Sequence, residues 1–139
     1  MNRNYKTNSW VVGTAIVLVG FSIAHVLEHF VYGIPAQFGF ETAPAAALLG
    51  TAYANHVVLI VLTAQGNKLG ILGNLAAGII WALAATIDHL DEILFVQPYR
   101  AGWPSKGFEI GLILSALALA VISFLAWRSQ SGQEKKAST

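Results

Sequence analysis

Polar residues break the chain into four long apolar runs, and the spacing of those breaks predicts the fold. The first run extends from Trp10 to about Tyr32, the second from Ala43 to Ala64, the third from Gly70 to Leu94 and the fourth from Gly107 to Arg128. Each has the ~20 residues that a helix rising ~1.5 Å per residue needs to cross a bilayer. Spanning helices are therefore expected over 10–32, 43–64, 70–94 and 107–128, packed as an all-α, four-helix integral membrane bundle in one domain covering 1–139.

The helix ends carry their own signals. Asn8 or Ser9 is placed to cap the first helix, and Gly33-Ile34-Pro35 to stop it. Thr42 is expected to cap the second, with Pro44 in its first turn, where the missing N–H costs nothing. Gln65-Gly66-Asn67-Lys68 reads as a tight turn, and 97–106, with Pro98, Gly102, Trp103 and Pro104, as the longest internal loop. The polar segment 130–139 predicts a disordered tail. Arg3 and Lys6, followed by apolar residues and Ser22-Ile23-Ala24, also have the order of a secretory signal. The apolar run continues past His25 to a full spanning length, which predicts an uncleaved first helix. Small residues (Ala45, Ala46, Ala47, Gly50 and Ala54; Gly70, Gly73, Ala76, Ala77 and Gly78) give the second and third helices surfaces suited to close packing in lipid or to further assembly.

Composition agrees with the pattern. Of 139 residues, 55% are apolar and 11% charged, and the mean hydropathy is +0.60, the range of a membrane protein. Cysteine is absent, which excludes disulfides, thiolate metal sites and cysteine nucleophiles, so any metal must use nitrogen and oxygen donors. The eight basic residues form no stripe of the kind nucleic acid requires. They do divide by side: Arg3, Lys6, Lys68, Arg128, Lys135 and Lys136 fall at one end of the expected bundle, and Arg100 and Lys106 at the other. That bias predicts both termini in the cytoplasm of a cell, most simply a prokaryotic one with this protein in its plasma membrane. Glu28, Glu41, Asp88, Asp91, Glu92 and Glu109 then make the outer end acidic, with Glu109 read as a charge at a helix start.

The candidate chemistry lies within the helices. His25, Glu28 and His29 share one face of the first, Asp88, His89, Asp91 and Glu92 crowd the end of the third, and His56 lies in the second. Ionisable groups at membrane depth are costly and usually functional. Imidazoles with carboxylates suit zinc, iron or manganese, and helical bundles build such sites from inward-facing His and Glu. The expected metal ligands are therefore His25, Glu28, His29, His56, Asp88, His89, Asp91 and Glu92, holding one or two transition ions, zinc or iron first. His25-Val26-Leu27-Glu28-His29 resembles the His-x-x-Glu-His order of inverted zinc proteases, in which the glutamate handles water. That resemblance covers five residues and implies Glu28 as the catalytic group. The functions left open are a membrane metalloenzyme activating water or oxygen, a metal-cation or proton transporter, and a non-catalytic subunit of a larger complex. A tetrapyrrole is disfavoured by the clustered carboxylates.

Overall fold

The computed structural model describes residues 3–96, 98–99 and 102–137. Five helices follow one another: α1 (Arg3–Val31), the single turn α2 (Ile34–Gln37), α3 (Thr42–Ala64), α4 (Lys68–Phe95) and α5 (Trp103–Ala137). The four long ones are each long and apolar enough to cross a membrane. They pack as a bundle in the cyclic order α1, α3, α4, α5, with α1 and α4 touching only across the diagonal. The closest packing is of α5 against α4 and α1, while α3 closes the bundle more loosely.

A heptad-like rhythm explains the packing. The buried positions of α1 are Asn8, Val11, Ala15, Leu18, Ser22 and His25, those of α4 include Ile71, Asn74, Gly78, Ala82, Ala85 and His89, and those of α5 include Ser105, Glu109, Leu112, Ala116, Leu119, Ser123 and Ala126. Steps of three and four residues keep one seam of each helix facing its neighbours as nearly antiparallel helices wind gently about each other. The opposite faces carry exposed Ile16, Val17, Ile80, Leu83, Leu114 and Val121, as lipid-facing surfaces should. Glycine sets the closest approaches. A Cβ on Gly78 would meet the Ala120 backbone nitrogen at 2.7 Å, and one on Gly70 the Leu62 carbonyl carbon at 2.8 Å. The second contact holds α3 hard against α4 at the end near the α3–α4 turn.

Several helix ends differ from expectation for physical reasons. Asn8 does not cap α1, which begins at Arg3; it is buried, and its Oδ1 accepts a hydrogen bond from Gln130 Nε2 at 3.2 Å. That contact ties down the segment expected to be a disordered tail, which instead continues α5 as far as Ala137. Its Ser, Gln, Glu and Lys residues are acceptable in a helix. The same helix begins at Trp103 rather than Gly107, with Pro104 in the first turn, where proline is tolerated. Glu41, not Thr42, occupies the cap position of α3, and Asn67 caps α4 by accepting from Leu69 N at 2.8 Å. Between α1 and α3, Gly33 (φ 67°) and Gly39 (φ 76°) take left-handed conformations on either side of α2. Gln97, Arg100 and the side chains of Arg3, Lys6, Lys135 and Lys136 lie outside the described residues.

Candidate metal centre

The core seams of α1, α4 and α5 do not change periodicity at the end of the bundle opposite the α3–α4 turn; they change chemistry. One turn beyond the apolar layers, α1 presents His25 and then His29, α4 presents His89, and α5 presents Glu109. The three imidazoles gather with ring centroids 4.2 Å apart for His25 and His29, 4.6 Å for His25 and His89, and 5.3 Å for His29 and His89. The rings meet edge to face, so their nitrogens converge instead of their faces stacking. One nitrogen from each of the three lies within 4.8 Å of the others.

Glu109 fits against this triad from α5. Its Oε1 is 3.9 Å from His25 Nδ1 and 3.6 Å from His89 Nδ1, and its side chain is 1% exposed. Glu92 Oε2 approaches the same His89 nitrogen at 3.6 Å, so His89, Glu92 and Glu109 form a second close donor group. His89 Nε2 faces Asp88 Oδ2 at 3.0 Å. His89 Nδ1 is buried without a hydrogen bond, although two carboxylates stand at near-contact distance. A cation in either donor group would be offered three of these residues. Two ligands on opposite sides of one ion with ~2.2 Å bonds stand ~4.4 Å apart, so small side-chain rotations would bring either donor group to coordination distance. Burying this many ionisable groups without such compensation costs several kcal/mol per charge, at order-of-magnitude level.

Glu28 takes a different position from its neighbours. Ser105 at the start of α5 donates to its Oε1 through a short hydrogen bond, and Oε2 is buried without one. It belongs to neither close donor group. Asp91 is exposed and likewise outside both groups. His56 is buried elsewhere, in the α3–α4 interface: its Nε2 lies 3.2 Å from Asn74 Oδ1, and Asn74 Nδ2 donates to Thr63 Oγ1 at 2.9 Å and to the Gly70 carbonyl at 3.0 Å. This network carries the polar load of that interface.

Of the expected ligands, the structure thus brings His25, His29 and His89 into one close group and His89 and Glu92 into a second, with Asp88 against His89, and leaves Glu28, His56 and Asp91 outside both. It adds Glu109, which was read as a charge at a helix start. That reading is overturned: α5 begins four residues earlier than expected, so Glu109 lies in its second turn on the buried seam. The signal was present in Ser105, Glu109, Leu112, Ala116, Leu119 and Ser123, which recur at helical spacing and put Glu109 in line with the core.

Beside the triad opens a cavity of about 280 Å³. Its polar lining is His25, His29, Asp88 and His89; the remaining wall is apolar and includes Phe30, Pro35, Phe38, Phe40, Leu49 and Trp81. No protein-family model, curated protein or solved structure matches the chain, and function is argued from this geometry.

Proposed function

We propose that the protein is a membrane metalloprotein in which His25, His29 and His89 hold one divalent transition ion and Glu109 provides the charge-balancing carboxylate. The observation that carries this reading is the convergence of three imidazoles from α1 and α4 within 4.8 Å, backed by a buried glutamate from α5. Three histidines with a position left open is the composition of a catalytic zinc site, and the same donors suit iron. The apolar cavity is lined by all three histidines, which leaves room for a reactant at the ion. The ion would supply Lewis acidity or activate water or oxygen.

The chain's own residues have separable tasks. Glu109 offsets the ion's charge beside His25 and His89, Asp88 orients His89 through Nε2 and so leaves Nδ1 to the ion, and Glu28, steadied by Ser105, is the carboxylate available to take a proton. Purification after growth with zinc or iron, followed by elemental analysis, tests the reading. About one ion per chain is expected in wild type, with none retained in His25→Ala or His89→Ala proteins that still elute as folded species. Full metal content in both variants would refute it.

A further inference from the structure

The cavity has a shape and a chemistry that select an occupant. α3 is held tightly against α4 at one end, where Gly70 and Gly73 admit Leu62 and Leu59. Toward the opposite end the two helices part, and the wedge between α1, α3 and α4 is the cavity. Its walls include Phe30 from α1, Leu48 and Leu49 from α3, Trp81 and Ala84 from α4 and Leu112 from α5, and residues around α2 complete the lining. Leu48 is 66% exposed and Ala84 is exposed as well. Both lie within spanning helices, so the mouth opens sideways, toward lipid, and not only toward water.

Polarity is confined to His25, His29, Asp88 and His89. A ligand with several polar groups would leave most of them facing Phe, Leu and Ala, at a cost of roughly 1–3 kcal/mol for each unpaired group. The occupant must therefore be apolar over its body and polar at one end. Charge narrows the class further. Asp88 lies in the cavity wall, and Glu109 and Glu92 stand against His89 behind it; these three carboxylates outnumber the two charges of a divalent ion, so an anionic head would meet a net negative end. We infer that the cavity admits a neutral, oxygen-headed apolar molecule from the bilayer, an alcohol or carbonyl compound of lipid type, and seats its head at His25, His29 and His89. This substrate class rests on the metal-centre reading for its chemistry but not for its binding.

Trp81 lines the cavity and stacks on Tyr53 at 6.3 Å between ring centroids, which provides a reporter. The purified, metal-loaded protein in detergent would be titrated with a long-chain primary alcohol brominated on its tail, with a fatty acid brominated at the same position, and with unlabelled alcohol as competitor. The expected result is a saturable quenching component with the alcohol that is absent from Trp81→Phe, displaced by unlabelled alcohol, and at least tenfold weaker with the acid. Ala84→Phe and, independently, Leu49→Phe should fill the space and remove the component while metal content stays at the wild-type level. Quenching by acid and alcohol alike, or no component dependent on Trp81 in protein that carries metal, would overturn the assignment. Because quenching reads the cavity and elemental analysis reads the ion, metal-free protein that still quenches would sink the metal centre and leave the ligand class standing.

Discussion

At the scale of single residues, the site separates groups that the sequence presents as equals. His25, His29 and His89 each contribute a converging nitrogen, so each alanine substitution should abolish metal binding, whereas Glu28→Gln, outside both donor groups, should retain the ion. Elemental analysis of the four variants checks this, and metal loss in Glu28→Gln would move that carboxylate into the coordination shell. His56 has a structural task. Its removal leaves Asn74 Oδ1 buried without its partner, a loss of about 1–3 kcal/mol, so His56→Ala should lower thermal stability in detergent while binding close to a full complement of metal. The ionisable cluster on α1 and α4 was legible in the sequence because polar groups inside apolar runs stand out. Glu109 was passed over because a charge near a helix end has an ordinary explanation, although its spacing from Ser105, Leu112 and Ala116 sets it on the core seam. Spacing could not tell His56 from the other histidines, since its difference lies in Asn74, a residue on another helix.

At the scale of helices, existence and order followed directly from the apolar runs, and the ends of α3 and α4 fell within two residues of expectation. The start of α1 and both ends of α5 did not; near the two termini, Asn8 and Gln130 are joined by a hydrogen bond between residues far apart in the chain. Local signals cannot report it. The packing of α4 on α5 turns on Gly78, where any side chain would press into the Ala120 backbone. Gly78→Leu should therefore destabilise the bundle by about 1–3 kcal/mol or more through overpacking, while Gly20→Leu, on a face with nothing within 4 Å, should change little. Comparing the melting temperatures of the two variants in one detergent decides it, and equal shifts would count against the close α4–α5 contact. Since Glu109 rides on α5 and His89 on α4, Gly78→Leu should also weaken metal retention.

At the scale of the whole molecule, what remains is which end faces out. The histidine and carboxylate end of α1 and α4 lies with α2 and the α4–α5 connection, and the basic α3–α4 turn lies at the other end. Positively charged loops favour the cytoplasm, so the expected orientation has the histidine and glutamate cluster toward the outer surface and both termini inward. Exposed aromatics stand at both ends, Trp10 at 62% and Trp103 at 82%, as interfacial anchors on either orientation, so they fix depth and not direction. The sequence contains no cysteine, which makes single-cysteine labelling clean. Ser105 is unsuitable as a reporter, being buried against Glu28, but Glu41 and Gln65 are exposed on opposite ends of α3. In intact cells a membrane-impermeant maleimide should label Glu41→Cys, and Gln65→Cys only after permeabilisation. The reverse pattern would place the acidic end and its metal centre in the cytoplasm. It would leave the site's geometry untouched but make the ion's supply intracellular.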